Sequence, residues 1–429
     1  MRIGIQTWGS EGDLRPLLAL AAGLVQAGHD VILAAGGVDH VLWQQRSAEL
    51  GVSYLPAPER TRFDLPSLHR RVADPGSLDW AKVLLQEAFY PHLDEIVAAA
   101  EAVCAESDLV IGHSAVHPLR AVARRSGTPY VGAALCPALI PSEHQPPGGL
   151  PDRGPALNRL AWRQAHEGCD TLLKPDVERC WQQLGQKPPA HALEAGLSDL
   201  LNLVAVSPTL CPAPPDWGSR TRVCGCWELP REAWTMPARL AEFFDHGEPP
   251  VYLTLGSMLP LDPTAMLGLL LQGVKLAGCR ALVQAPASLH ASLGPSPDTA
   301  SRVRLVDRLP HDQVFPRCAA IVHHGGAGTC HAAVRAGCPS VVVAVQEEQW
   351  FWGQELQRAA AASAPLRLRE TDAERLAAAI RTVLSAPRLK RRTAALSTAL
   401  AGEDGVGQAI TWIEELVEAP RLRSAARPS

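Results

Sequence analysis

Residues 321–343 read IVHHGGAGTCHAAVRAGCPSVVV, in which a histidine pair, three glycines within four positions and a threonine lie between two apolar runs. An apolar run, a glycine-rich turn and a helical pattern, in that order, are typical of the unit from which parallel sheets are built. Glycines let a ligand approach the backbone, and free N–H groups at a helix start attract phosphate. His324 and Thr329 add two side-chain donors. The segment therefore predicts an α/β fold in which this turn binds a diphosphate.

The same alternation extends over most of the chain, because short apolar, β-branched runs are separated by longer stretches of helical pattern. Such alternation predicts βαβ units and parallel sheets. In the second half we predict strands over 251–256, 281–285, 303–306, 319–323 and 340–345, with helices over 264–277 and 329–336. In the first half we predict strands over 3–7, 30–34, 52–55, 108–112, 130–135 and 201–206, with helices over 14–27, 38–50 and 80–104.

A chain of 429 residues is too long for one hydrophobic core, because domains typically hold about 100 to 200 residues. Prolines accumulate between positions 207 and 250, where both periodicities fade, as expected of a domain boundary. We predict a first domain over 1–215, a linker over 216–248 and a second domain over 249–404. Two such α/β domains would face each other across a cleft, with ligands at the carboxyl ends of the strands.

Composition narrows the classes of protein. With 47% hydrophobic and 20% charged residues and a net charge of −4, the chain reads as globular, and no nucleic-acid partner is expected. Its apolar runs are shorter than the roughly 20 residues that span a bilayer, so no transmembrane segment is expected. The first residues lack the pattern of a secretory signal peptide, which favours the cytoplasm. The eleven cysteines are scattered without a C-x-x-C pair, so buried thiols are favoured over disulfides or a metal site.

A second turn lies near the start of the chain, where the strand 3–7 runs into WGSEGD and a helix predicted to begin at Leu14 or Arg15, with Pro16 in its first turn. The turn lacks the G-x-G-x-x-G dinucleotide fingerprint, so a nicotinamide enzyme is not favoured. From the local sequence alone, the favoured interpretation of Asp13 is an N-cap carboxylate, and the alternative is a general base. His113, at the end of another strand, could orient Asp13, contact an acceptor or be an ordinary loop histidine.

Taken together, these segments resemble the GT-B nucleotide-sugar glycosyltransferases, in particular the bacterial and sterol-type members of the UDP-glycosyltransferase family. The resemblance rests on the turn and helix over 9–31, on PPVYLTLGSM (249–258), on RLPHDQVFPRCAAIVHHGGAGT (308–329) and on EEQWFWG (347–353). It implies two Rossmann-like domains, an acceptor site in the first and a donor site in the second. It also implies that a helix over 405–418 returns to the first domain, with a flexible tail over 419–429.

The resemblance assigns the donor contacts residue by residue. The family's phosphate-binding histidine stands fifteen positions before Pro339, which selects His324 and leaves His323 as the last inward residue of its strand. Main-chain groups of Leu309 and Pro310 would read the uracil or thymine edge, and Glu348 and Gln349 would hold the sugar hydroxyls. The full predicted donor set is Ser10, Gly256, Ser257, Arg308, Leu309, Pro310, His324, Gly326, Ala327, Gly328, Thr329, Glu348 and Gln349.

The resemblance also makes Asp13 the catalytic base, with His113 as the candidate to assist it, which reverses the preference drawn from the local sequence. Asp13 would take a proton from an acceptor hydroxyl, and the anomeric configuration would invert. The expected donor is UDP-glucose or a dTDP-sugar, with glucose favoured, and the expected acceptor is a hydrophobic natural product, sterol, phenol or lipid. His324 and the helix start would meet the departing charge, so neither a metal nor a further cofactor is expected.

Two departures from the family pattern bear on the donor site. Glu348 replaces the usual Asp beside Gln349, and the position of Ala344 lacks the usual proline, which leaves the donor sugar open. Cys330 and His331 replace small residues, and His331 is expected on the helix with an exposed side chain. Two other functions remain as alternatives, a UDP-sugar epimerase and a non-catalytic accessory protein that keeps the fold.

Overall fold

The computed structural model describes residues 1–37, 40–58, 79–254, 256, 263–290 and 302–419. The chain forms two compact units, divided between Pro230 and Arg231 and again between Gly402 and Glu403. The described residues up to Pro230 and those after Gly402 belong to the first unit, and the described residues from Arg231 to Gly402 form the second. Ser257 and all of the predicted tail except Ala419 lie outside the described residues.

The first unit is built on a parallel sheet of seven strands in the order β3-β2-β1-β4-β5-β6-β7. The central strand β1 pairs with β2 on one side and β4 on the other, so that Ile3 lies opposite both Val31 and Leu109. Helices cover both faces, which explains why the strands are apolar runs rather than alternating ones. The strands are β1 (Arg2–Gly9), β2 (Asp30–Gly37), β3 (Ser53–Pro56), β4 (Leu109–His113), β5 (Tyr130–Ala134), β6 (Leu201–Val204) and β7 (Thr221–Val223).

The helices of the first unit depart from the predicted bounds at two places. The first helix begins at Glu11 rather than near Leu14, because Ser10 caps it, and Pro16 therefore lies in its second turn. The predicted helix over 80–104 is interrupted by a π-turn (Leu85–Phe89) and a 3-10 turn (Tyr90–His92). The helices are α1 (Glu11–Gln26), α2 (His40–Glu49), α3 (Asp79–Leu84), α4 (Leu93–Glu106), α5 (His117–Ser126) and α6 (Pro155–Gln183).

The second unit holds a parallel sheet of six strands in the order β10-β9-β8-β11-β12-β13. Its strands are β8 (Val251–Thr254), β9 (Ala281–Gln284), β10 (Val303–Val306), β11 (Ala320–His323), β12 (Ser340–Ala344) and β13 (Leu366–Arg367). Its helices are α7 (Ala238–Asp245), α8 (Pro263–Ala277), α9 (Ala287–His290), α10 (His311–Val314), α11 (Ala327–Arg335), α12 (Glu347–Arg358), α13 (Ala373–Leu384) and α14 (Pro387–Ala401). Chain order reverses direction in the sheet between β8 and β11, and such a switch point is where α/β sheets bind ligands.

The stretch predicted as a linker, 216–248, contains regular structure in both units. Strand β7 extends the first sheet, and α7 packs into the core of the second unit through Leu240, Phe243 and Phe244. The last helix, α15 (Gly405–Glu418), packs on α1 in the first unit. Gly23 permits this contact, because a Cβ there would overlap the side chain of Val406.

All eleven cysteines are free thiols, and eight of them are buried. Among the helices described, none is both long enough and apolar enough to cross a membrane.

Candidate functional site

In the second unit, the predicted phosphate-binding residues lie around the carboxyl ends of β8 and β11. The imidazole of His324 is packed between two glycines and is 8% exposed. A Cβ built on Gly256 would lie 2.5 Å from His324 Cε1, and one built on Gly326 would lie 2.6 Å from His324 Nε2. Both positions therefore require glycine if the ring is to keep this place.

The turn between His324 and α11 depends on a third glycine. Gly325 has a φ of 96°, which L side chains rarely adopt. A Cβ there would also lie 2.6 Å from the backbone oxygen of Gln349. Helix α11 begins at Ala327, two residues earlier than predicted, with Gly326 as N-cap and no capping side chain. The N–H groups of its first turn, which include those of Gly328 and Thr329, are therefore available to an anion.

The imidazole of His324 is suited to form hydrogen bonds as a neutral ring. Burial lowers the pKa of His324 to about 4, so the ring is uncharged at neutral pH. Its Nδ1 atom is buried and has no hydrogen-bond partner in the described structure. Buried polar atoms are nearly always paired, so an unpaired one beside the uncapped start of α11 marks a candidate place for a ligand.

His323 is fully buried at the end of β11, as predicted for the last inward residue of the strand. Its Nδ1 accepts the backbone N–H of Gly325 at 3.1 Å, which places the proton of the neutral ring on Nε2. Burial lowers the pKa of His323 to about 3. Its role in the described structure is to hold the turn that carries His324.

The predicted sugar contacts lie at the start of α12. The Oε1 atom of Gln349 accepts the backbone N–H groups of Val345 at 2.8 Å and Gln346 at 3.2 Å. Gln349 thus caps the helix, and its amide nitrogen is what remains for a ligand. Glu348 is exposed. Neighbouring Glu347 forms a two-pronged ion pair with Arg367, whose guanidinium also covers the ring of Trp350 at 4.3 Å.

The prediction that His331 is exposed is wrong. It lies on α11 as expected but is 1% exposed. Its Nδ1 bonds to the carbonyl of Ala327 at 2.7 Å, and its ring meets Trp352 of α12 edge-on at 4.9 Å. Together with fully buried Cys330, His331 packs the first turns of α11 against α12.

The predicted base-reading segment follows β10. Arg308 is exposed, whereas Leu309 is half-buried and packs on the core formed by Tyr252, Leu282 and their neighbours. Pro310 serves as the N-cap of α10. The segment thus lies on the same face of the sheet as Tyr252.

In the first unit, the predicted base is held at the start of α1. One carboxylate oxygen of Asp13, Oδ2, accepts the backbone N–H of Ser10 at 2.7 Å and its hydroxyl at 2.9 Å. This is a capping box, since the Ser10 hydroxyl also accepts the N–H of Gly12. The hydroxyl of Ser10, which was predicted to contact the donor, is therefore engaged with Asp13 in this structure.

The second oxygen of Asp13 faces His113. Oδ1 lies 4.0 Å from His113 Nε2, and the Asp13 side chain is 33% exposed. Gly9 leaves room for the carboxylate, because it has a φ of 139° and a Cβ there would overlap Asp13 Oδ2. The hydroxyl of Thr7 fixes the backbone by donating to the carbonyl of Asp13 at 3.0 Å. Sequence reasoning missed Thr7 and Gly9, although the spacing Ser10-x-x-Asp13 could have indicated the capping box.

Burial lowers the pKa of His113, and the nearby negative charge of Asp13 opposes that shift. The structure brings Asp13 and His113 together in the first unit, and His324 together with the glycines of residues 256, 325 and 326 in the second. The described residues contain no group of three or more His, Cys, Asp or Glu side chains that could hold a metal ion.

Comparison with known proteins identifies the family. Residues 281–408 match the model of the C-terminal domain of erythromycin biosynthesis protein CIII-like proteins. The O-mycaminosyltylonolide 6-deoxyallosyltransferase of Streptomyces fradiae is 32% identical over 97% of this chain and 98% of its own. The vancomycin aglycone glucosyltransferase of Amycolatopsis orientalis is 30% identical over 93% of this chain and 94% of its own.

Among solved structures, the glycosyltransferase VinC in complex with dTDP has the same fold, with a TM-score of 0.66 at 20% identity over 97% of this chain and all of its own. The fold and the family predicted from the sequence are confirmed. This chain belongs to the GT-B glycosyltransferases, the family that includes the macrolide, glycopeptide and sterol enzymes.

Proposed function

We propose that this glycosyltransferase moves a sugar, with glucose favoured, from a UDP- or dTDP-sugar to a hydroxyl of a hydrophobic small molecule, with inversion at the anomeric carbon. The binding of a nucleotide-sugar donor is supported by the placement of His324 between Gly256 and Gly326, beside the uncapped start of α11. The relatives named above act on a tylonolide and on a vancomycin aglycone. A large hydroxylated natural product is therefore a suitable acceptor class.

The diphosphate of the donor would lie against the first turn of α11. Its oxygens would accept the N–H groups of Gly328 and Thr329 and the hydroxyl of Thr329, and the helix dipole favours the negative charge. His324 would supply a ring N–H, because its depressed pKa keeps it neutral while its nitrogen is unpaired. When the diphosphate leaves, the same groups stabilise the charge that develops on it, without a metal ion.

At the other substrate, Asp13 would accept the proton of the attacking hydroxyl. Ser10 anchors Oδ2 through two hydrogen bonds, so Oδ1 is the atom that can take the proton. His113, kept neutral by burial, would act on Asp13 as a positioning residue. A direct displacement from the face opposite to the departing diphosphate gives inversion.

Glucose is favoured because the start of α12 offers a carboxylate and an amide to the ring hydroxyls. Glu348 is exposed, and its carboxylate can accept hydrogen bonds from two hydroxyls. Gln349 retains its amide N–H₂, since its oxygen is used to cap the helix.

The eleven cysteines are free thiols, and a reducing compartment such as the cytoplasm would keep them in that state. We therefore propose the cytoplasm as the location of the enzyme.

The test is a titration followed by a transfer assay. Calorimetry of the full chain with UDP, dTDP and UDP-glucose, without added metal, should show binding of at least one nucleotide. Transfer is then measured with labelled UDP-glucose against a panel of macrolide aglycones, sterols and phenols, and the anomeric configuration of the product is read by NMR. Nucleotide binding without transfer to any acceptor would favour the accessory-protein alternative. A retained configuration would contradict direct displacement by an activated hydroxyl.

A further inference from the structure

A polar pair lies at the carboxyl edge of the second sheet, outside the residues that the sequence singled out. The hydroxyl of Tyr252 donates to Gln284 Oε1 at 2.9 Å. Tyr252 is fully buried, and burial raises its pKa well above the usual range, so the hydroxyl keeps its proton. Gln284 is the last residue of β9 and is half-buried, so that part of its side chain reaches the surface.

This hydrogen bond sets the orientation of the Gln284 amide. Because Oε1 accepts the hydrogen bond from Tyr252, the amide nitrogen Nε2, with its two N–H donors, is the group left for another partner. Among the described residues, no hydrogen bond from Nε2 is found. Gln284 therefore presents a preset donor, and Tyr252 holds it without reaching the surface itself.

The register of the strands places this donor beside the proposed phosphate site. Val306 lies opposite Gln284, and Thr254 lies opposite His323. Because Leu253 pairs with Val283, Thr254 is also level with Gln284. Gln284 is thus two strands away from His323, a distance of about 10 Å across the sheet. That is comparable to the length of a ribose and a pyrimidine ring placed end to end.

The neighbours of Gln284 agree with a nucleobase at this place. Tyr252, Leu282 and the half-buried Val306 and Leu309 contribute to one apolar cluster on this face of the sheet. Leu309 belongs to the segment already expected to read the base edge. A base extending from a diphosphate at His324 toward β10 would pass the end of β9.

We propose that Gln284 donates a hydrogen bond to the C4 carbonyl oxygen of the pyrimidine base of the donor nucleotide, with Tyr252 as its positioning residue. The proposal rests on the nucleotide-sugar function proposed above and adds the basis of its nucleobase selectivity. Uracil and thymine carry a carbonyl oxygen at C4, whereas cytosine carries an amino group there. An N–H donor can form a hydrogen bond with uracil or thymine at this position, whereas cytosine would place a second donor against it.

The experiment is calorimetric titration of the full chain with UDP and CDP, which differ at that position. Wild type should bind UDP roughly tenfold more tightly than CDP, since a site built around a donor leaves it unpaired with the wrong base. Glutamate has nearly the same shape as glutamine but no N–H₂ group. Gln284→Glu should therefore weaken UDP binding by roughly tenfold and bring the affinities for UDP and CDP closer together. Tyr252→Phe removes the anchor and keeps the ring, so it should lower the ratio to a smaller extent.

Two further variants separate this inference from the proposed function. His324→Ala should weaken UDP and CDP by the same factor and leave their ratio unchanged. Gln272→Glu, which makes the same chemical change on the exposed face of α8, should change neither affinity. A Gln284→Glu variant that keeps the wild-type UDP/CDP ratio, or loses both ligands equally, would overturn the base-reading role while the function stands. Failure of wild type to bind any nucleotide would instead overturn the proposed function itself.

Discussion

The imidazole of His324 occupies the space that any side chain at position 256 would need. A Cβ on Gly256 would lie 2.5 Å from Cε1 and 3.2 Å from both ring nitrogens. Gly256 also has a φ of 61°, so a substitution there meets backbone strain in addition to the steric conflict. The end of β8 and the end of β11 are therefore fitted to each other through one glycine and one histidine.

This relationship leads to a prediction for Gly256→Ala. The added methyl group should push the His324 ring away from α11 and weaken UDP binding by roughly tenfold or more, as loss of one charge-assisted hydrogen bond would do. Calorimetric titration measures the affinity. Gly268→Ala is the matched control, because Gly268 lies exposed on α8 and its added Cβ would have no atom within 4 Å beyond the neighbouring residues and backbone of its own helix. Undiminished UDP affinity in Gly256→Ala would show that the position of His324 does not matter for the diphosphate.

The anchoring of Asp13 leads to a second prediction. In Asp13→Asn, the side-chain oxygen can still accept from Ser10, so the start of α1 should persist while the proton acceptor is lost. We expect kcat to fall by about 10²–10⁴-fold, the usual contribution of a general base, with UDP affinity unchanged. Single-turnover kinetics and calorimetry measure the two quantities.

Glu11→Gln serves as the control for this change, because Glu11 lies in the same helical turn and pairs with Arg15 at the surface. Its turnover should match that of wild type. If Asp13→Asn retains full turnover, the base must be sought elsewhere, and His113 is the nearest candidate at 4.0 Å.

The sequence predicted the strands better than the helix starts, and the reasons are local. Buried parallel strands are continuous apolar runs, so β8, β11 and β12 could be recognised directly. Helix α1 begins earlier than predicted because Ser10 and Asp13 together form a capping box, which moves the N-cap to Ser10. Pro91, within the predicted helix 80–104, was a signal for the 3-10 turn that interrupts it.

Contacts between elements distant in sequence were beyond such reasoning. His331 is buried because Trp352, on the next helix, covers it. The pair of Tyr252 and Gln284 joins neighbouring strands whose register is set by the whole sheet. His324, in contrast, could be selected from the sequence, because the family pattern places the phosphate-binding histidine fifteen positions before Pro339 and because Gly325, Gly326 and the following helix are its neighbours in the chain.

The buried histidines predict how stability depends on pH. Burial lowers the pKa of His117 and His324 to about 4 and that of His323 to about 3, whereas an unfolded histidine titrates near about 6.5. Between pH 6.5 and about 4 the unfolded chain therefore binds more protons than the folded chain. The free energy of unfolding should fall as pH falls through this window, by up to about 1.4 kcal/mol per pH unit for each histidine.

Urea unfolding of wild type and His323→Asn at pH 7, 6 and 5 tests this dependence. The δ oxygen of asparagine takes the position of Nδ1 and keeps an acceptor for the N–H of Gly325, while one titrating ring is removed, so the variant should lose less stability than wild type on acidification. His246→Asn, at an exposed position after α7, should retain the wild-type dependence. Equal slopes for wild type and His323→Asn would contradict the buried, neutral state of His323.

The attachment of α15 to the first unit depends on a contact between two glycines. Gly405, at the first position of α15, leaves no room for a Cβ, which would overlap backbone atoms of Gly225 and Cys226. Its carbonyl also accepts the indole N–H of Trp227 at 3.2 Å. Gly405→Ala must therefore shift the start of α15 or the segment at Gly225, and Ala409 and Ile413, fully buried in the core of the first unit, would move with the helix.

We expect Gly405→Ala to lower the free energy of unfolding by about 1–3 kcal/mol, the usual cost of forcing extra atoms into a well-packed site. Gly402→Ala is the control, because the nearest atom to its added Cβ is 3.6 Å away, and its stability should be close to that of wild type. Chemical unfolding followed by circular dichroism compares the two. If both variants unfold at the same denaturant concentration as wild type, the close approach of Gly405 to Gly225 and Cys226 does not hold α15 in place, and its buried apolar residues must be sufficient to do so.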